Sequence, residues 1–209
     1  MRDTTRQVSA TRVELLELKD ERRLVEEGYE LLDEKRMLIA AEIRRGLSEH
    51  ERLRRTVEAR MNAIRDAFAS AVHRHGLDEL QCLAPLPSQD AAVTVTTRPF
   101  LGIELVAATL ATSRDTPPAA GSPSAEAQRL ALSHFEALGA IAALAACEVS
   151  LRRLVTEYVR TERRARALEN VLLPEIRDTL HFVEDQLESL DQEESVRARR
   201  RSGPMSGRH

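Results

Sequence analysis

The sequence predicts an all-α protein: a long antiparallel two-helix coiled coil with a short central β-hairpin and a flexible linker. Three observations carry this. Charge is tripartite along the 209 residues, with 33 charged residues in 1–80, five in 81–123 and 27 in 124–209. The apolar residues of both charged arms recur in steps of three and four, the spacing of a helix seam. Aromatics make up only 3% of the chain and Trp is absent, so the apolar mass is aliphatic and suits helix–helix packing better than a compact core.

In the first arm Leu15, Leu18, Val25, Tyr29, Leu32, Ile39 and Ile43 form the seam, with Arg22 and Arg36 at the two positions that interrupt it. Leu24, Leu31 and Leu38 widen the stripe. Around Gly46 the steps Ile39, Ile43, Leu47 suggest a stutter, after which Val57, Met61, Ile64, Phe68 and Ala71 resume. All eight prolines lie at or after position 85. Ser9 is the expected N-cap and Gly76 the expected stop. The first helix is therefore expected over 9–76, roughly 100 Å at 1.5 Å per residue.

The middle region, 77–123, reads differently. Val93-Thr94-Val95-Thr96-Thr97 and Ile103-Glu104-Leu105-Val106 are strand candidates, giving a β-hairpin over 92–107 with a longer loop at Arg98–Gly102. The stretch 111–124 is rich in Pro, Ala and Ser and reads as a mobile linker. The second helix is expected over 124–200, with a tail at 201–209. Its seam runs through Leu151, Val155, Tyr158, Ala165, Leu168 and Leu172 into Ile176, Leu180, Val183, Leu187 and Leu190, with a kink at Pro174.

Function classes narrow by chemistry. Net charge is −3, which gives no electrostatic footprint for nucleic acid. No secretory leader is apparent, and the longest apolar run, Ala137–Cys147, is too short to cross a membrane. Cys82 and Cys147 make neither a metal motif nor a disulfide framework. His73 and His75 stand two apart and do not share a helix face, so a solvated helix end accounts for them better than a metal site. His134 and Glu148 lack ligand or triad spacing, and no glycine-rich phosphate loop is present. The basic run Val196–Arg201 reads as helix-end charge. No catalytic residue, cofactor or metal is expected. Only Lys19 and Lys35 are lysines among 31 basic residues, as in a high-GC bacterial coding bias.

Two stretches resemble a known family. Thr11-Arg12-Val13-Glu14-Leu15-Leu16-Glu17-Leu18-Lys19, followed by Gly28-Tyr29-Glu30-Leu31-Leu32-Asp33-Glu34-Lys35-Arg36, resembles the N-terminal helix of the D subunit of the V-type/A-type rotary ATPases. Arg166-Ala167-Leu168-Glu169-Asn170-Val171-Leu172-Leu173-Pro174 is similar to that family's C-terminal helix signature. The resemblance covers roughly residues 9–60 and 155–200. At the hairpin loop, where the family has an Asn and then Met-Gly, this chain keeps Gly102, with Leu101 in the methionine place.

The resemblance implies a non-catalytic central rotor component in the central stalk of an ATP synthase or V-type ATPase. Such a shaft couples ATP synthesis or hydrolysis to hydrogen-ion or other ion transport. Its implied partners are a catalytic hexamer of A and B subunits, the small F subunit and the protein capping the membrane ring, with no nucleic acid and no direct membrane insertion. Its implied place is cytoplasmic, peripheral on the inner face of the cell membrane. A prefoldin-like chaperone and a generic coiled-coil scaffold are the alternatives.

Folding the arms back with facing numbers summing to about 200–204 (both helices rise 1.5 Å per residue) sets Leu32 opposite Leu168 to Leu172 and Gly28 near Pro174. Lys35, Arg36, Glu169 and Asn170 are then expected to face the hexamer. Gly28, Leu31, Leu32, Leu168, Leu172 and Pro174 would form a belt beneath them.

Overall fold

A computed structural model describes residues 11–81, 91–112 and 124–201. Helix α1 spans Arg12–Gln81, strands β1 and β2 span Ala91–Phe100 and Ile103–Thr112, and helix α2 spans Ala125–Ala167. A single π turn, Leu168–Leu172, joins α2 to helix α3, Leu173–Arg201. The fold is thus two long helical arms around a two-stranded antiparallel hairpin. Ser9, Cys82, most of the 111–124 linker and all but Arg201 of the tail lie outside the described residues.

The chain divides into two compact units, residues 1–36 with 160–209, and residues 37–159. In the first, α1 is capped by Thr11, whose Oγ1 accepts the Glu14 backbone N–H at 3.2 Å. Thr11 therefore takes the capping role expected of Ser9, since a hydroxyl three residues before an amide of the first turn satisfies one orphan donor. Leu18, Ile176, Leu180 and Val183 form the core, with Leu15, Val25, Leu172 and Leu187 packed on it.

In the second unit the seam of α1 passes through Ile39, Ile43, Gly46, Leu53, Val57, Ile64, Ala67 and Ala71, and Arg60 on the same stripe is paired to Glu136. The expected stutter is absent. Gly46, not Leu47, holds the seam position, because Leu151 fills the space: a Cβ on Gly46 would lie 2.7 Å from Leu151 Cδ2. Leu47 is 54% exposed, and Met61 and Phe68 are exposed as well. The 3–4 stepping is therefore unbroken, with a glycine as its hole.

The hairpin strands are longer than the expected 92–107, pairing Ala91 with Thr112 through Phe100 with Ile103. The loop is shorter than expected, just Leu101 (φ 49°) and Gly102 (φ 83°). Positive φ at both central residues matches the twist of a tight hairpin. Pro99 fits inside β1 because the pair next to Phe100–Ile103 exchanges no ladder hydrogen bond, so its missing N–H faces the outer edge. Ile103 and Leu105 are buried with Ile39 and Leu154, against Ile43, Phe100 and Tyr158. Arg98 reaches Glu42 at 3.0 Å. The outer edge of β2 is closed by α2: Ser150 Oγ accepts the Val106 N–H at 2.7 Å and donates to the Val106 carbonyl at 3.0 Å, while Arg153 donates to the Glu104 carbonyl.

At the far end of this unit, Gly76 interrupts the helical dihedrals of α1 (φ 76°, ψ 166°). His75 is half-buried there, 2.6 Å from Ser124 Oγ, and the same Oγ accepts the Ala127 N–H that caps α2. The solvated helix end expected of His73–His75 is corrected at His75, which ties the end of α1 to the start of α2.

Candidate functional site

The belt residues all fall in the first unit, where α1 faces the junction of α2 and α3. Its organising feature is the π turn. Buried and half-buried positions step through Thr161, Ala165, Leu168 and Leu172, then through Leu173, Ile176, Leu180, Val183 and Leu187. Between Leu172 and Leu173 the pattern slips by one residue. An inserted residue is what a π turn absorbs, and here the Leu173 N–H reaches back to the Leu168 carbonyl. Pro174 explains its position: the proline supplies no N–H, and its ring would press on the carbonyl four residues earlier, that of Asn170. The kink expected at Pro174 is realised as this widened turn.

The facing numbers differ on the two sides of the turn. Before the turn, Gly28 faces Leu168 Cδ1, 3.9 Å from where a Cβ would stand, and Arg36 reaches Glu162. Those numbers sum to 196 and 198. Beyond the turn Glu26–Arg177, Lys19–Glu184 and Arg12–Asp191 each sum to 203. The expected 200–204 matches the second group and is about a helical turn off at the belt. Gly28 meets Leu168 rather than Pro174, and Leu172 packs against the cluster that holds Ile176, Leu180 and Val183.

Leu31 is also corrected. It is 67% exposed, as Leu24 is exposed one heptad earlier, so it points outward instead of holding the belt together. Leu32 and Leu168 are half-buried and Pro174 is exposed.

Arg36 does stand on the seam, and its charge is met within the chain. Its guanidinium bonds Glu162 at 2.7 Å and pairs with Asp33, and Arg166 completes the cluster on Glu162 at 2.7 Å. These contacts hold the Glu162 carboxyl below its ordinary value, the Arg36 hydrogen bond contributing most. Glu169 raises the Tyr29 phenol above its usual value, chiefly through its charge and also as hydrogen-bond acceptor. Tyr29 and Glu169 thus join α1 to the π turn. Lys35 is half-buried and engaged within the chain. Glu169 and Asn170 are exposed on the turn.

Sequence reasoning placed Arg36 on the seam but missed Asp33, Glu162 and Arg166. The signal was there: a charge at a seam position calls for an opposite charge on the facing helix, and Glu162 is the acid one turn before the signature. Among the described residues, no group of three His, Cys, Asp or Glu side chains is arranged to hold a metal ion.

The chain matches the family of the ATP synthase D subunit over residues 14–202. It is 27% identical over 197 residues to the V-type ATP synthase D subunit of Thermotoga neapolitana, covering 92% of this chain and 96% of that protein. It is 28% identical to the A-type ATP synthase D subunit of Pyrococcus furiosus, and 25% identical to that of Saccharolobus islandicus, each alignment covering 92% of both chains.

Proposed function

Because the chain belongs to the ATP synthase D-subunit family, we propose that it is the non-catalytic central rotor of a V-type/A-type rotary ATPase. Membership makes it a component of an ATP synthase complex, and so of a membrane-associated assembly. It supports the rotor reading over a prefoldin-like chaperone or a generic coiled-coil scaffold. In the finer reading, the coil turns inside a catalytic hexamer of A and B subunits, carries the F subunit on its side and docks on the protein capping the membrane ring, at the cytoplasmic face. Nucleotide chemistry belongs to the hexamer, and this chain transmits torque between it and ion translocation.

The observation that best supports the reading is the junction of α1 with the π turn. There the seam is locked by Arg36, Asp33, Glu162 and Arg166, while Glu169, Asn170 and Leu31 face outward. Torque needs a stiff interior and a contoured exterior at the same level. Lys35 and Arg36 act here by bracing the coil, and Glu169 and Asn170 by meeting the hexamer.

Disulfides at this level test it, after Cys82 and Cys147 are changed to Ser. A bond between Gly28→Cys and Leu168→Cys lies within the rotor, and ATP hydrolysis by the assembled complex should continue. A bond from Asn170→Cys to a cysteine on the hexamer should stop hydrolysis until it is reduced. Full activity with the second bond formed would refute the rotor reading.

A further inference from the structure

Helix α2 opens the arm Ala125–Arg200, which holds an 18-residue window of mean hydropathy 1.6. That corrects the expectation that no stretch is long and apolar enough to cross a membrane. The first residues of the arm are of the opposite kind, a polar cluster against the end of α1 in the unit of residues 37–159. Gly76 lies there with φ 76° and ψ 166°, a conformation that favours glycine, so Leu77–Gln81 follow it across a hinge. Ala71 before the hinge and Ala127 in α2 are buried, and His75, the residue before the hinge, is half-buried.

The protons of this cluster can be counted. The Ser124 hydroxyl donates to Glu126 at 2.9 Å, and an ionised carboxylate only accepts. The Glu126 carboxyl sits below its ordinary value, held there by its own backbone N–H and by Ser124, with Arg74 and Arg129 adding positive charge. Having given its one proton to Glu126, Ser124 Oγ accepts from the Ala127 N–H at 3.4 Å and from His75 Nε2 at 2.6 Å. Nε2 therefore carries a hydrogen. On the other side of the ring, Nδ1 faces Glu79 Oε2 at 3.5 Å, across the hinge. A neutral ring with its hydrogen on Nε2 turns a lone pair toward that carboxylate, and only the imidazolium donates on both sides. The other titratable side chains next to the hinge in sequence are His73 and Asp78, both exposed.

We propose that His75 is a proton-operated clasp at the Gly76 hinge. Protonated, the ring holds Ser124 at the start of α2 with Nε2 and Glu79 beyond the hinge with Nδ1, which fixes Leu77–Gln81 against the helix pair. An imidazole gives up its second proton between about pH 5 and pH 8. As pH rises through that range Nδ1 loses its hydrogen, the Glu79 link breaks and the segment is released to move about Gly76. The link to Ser124 stays, since Nε2 keeps its hydrogen. Glu79 is 63% exposed, so water screens the pair and the response is graded. The inference does not depend on the rotor reading.

The test uses the full chain with Cys82 and Cys147 changed to Ser and a nitroxide spin label on Leu77→Cys, an exposed site beyond the hinge. Raising the pH from about 5 to about 8 should raise the label's mobile-to-immobile ratio at least about twofold, within the range of a solvated ion pair. His75→Gln, which can still donate to Ser124 but takes up no second proton, should show the same mobility at both ends. Glu79→Gln should flatten the response as well, and His73→Gln should leave it unchanged. Circular dichroism checks each variant's fold, and His75→Asn replaces His75→Gln if that variant fails. Nitrogen-15 NMR of the ring gives a second readout, in which the neutral form should carry its hydrogen on Nε2. A label whose mobility does not change with pH, or a response that survives in His75→Gln or is lost in His73→Gln, overturns the proposal. So does a neutral ring with its hydrogen on Nδ1.

Discussion

A carboxylate held between two guanidinium groups on a helix seam sets the first expectation. The Glu162 carboxyl sits below its ordinary 4.5, through Arg36 first and Arg166 after it. Glu184 is lowered in the same direction by Lys19. A group whose folded-state value is depressed stabilises the fold above its unfolded value and loses that contribution as pH falls through the folded one. The thermal midpoint should therefore fall as pH drops below about 4.5, and Glu162→Gln should show a smaller fall between pH 7 and pH 3. An identical fall in both proteins would remove Glu162 from the account. Gly46 gives a second test. Gly46→Ala should leave stability within about 1 kcal/mol, because helix propensity gains what the push on Leu151 loses. Gly46→Leu, which places a large side chain in an occupied hole, should cost about 1–3 kcal/mol or more in denaturant unfolding. Leu101 is strained at φ 49°. Leu101→Asn should relieve on the order of 1 kcal/mol, since Asn tolerates the left-handed region.

At the scale of elements, the hairpin is held edge-on to α2 by Ser150, with Arg153 beside it. Ser150→Ala leaves the Val106 N–H and carbonyl without partners, and an orphaned part-buried amide costs about 1–3 kcal/mol. Hydrogen exchange at Val106 should accelerate at least tenfold while amides of the α1 seam keep their protection. Unchanged exchange would mean that the ladder alone holds the strand. Both helical arms and both strands are legible in the sequence, because periodicities of 3.5 and 2 mark residues that pack. What is not legible has definite causes. A glycine carries no apolar mark, so periodicity favours Leu47 over Gly46 and implies a stutter that the helix does not have. Leu24 and Leu31 carry the mark but face outward. The π turn stays hidden because Pro174 predicts a disturbance without saying whether the chain bends or takes in a residue. Nor does any spacing in the sequence indicate that Gly28 meets Leu168 rather than Pro174.

On the scale of the whole molecule, the charged seam is closed from within. Where a seam is charged, as at Arg36 and Glu162, the chain satisfies it internally. Family membership gives the setting, an ATP synthase complex, and the rotor reading gives the motion. Rotation can be watched directly. The complex is assembled with the hexamer fixed to a surface, the native cysteines changed to Ser, and a bead attached to this chain through Ser48→Cys, an exposed site on α1. During ATP hydrolysis the bead should turn continuously in one direction and stop when ATP is withdrawn. A bead that stays still while the same complexes hydrolyse ATP would contradict the central claim.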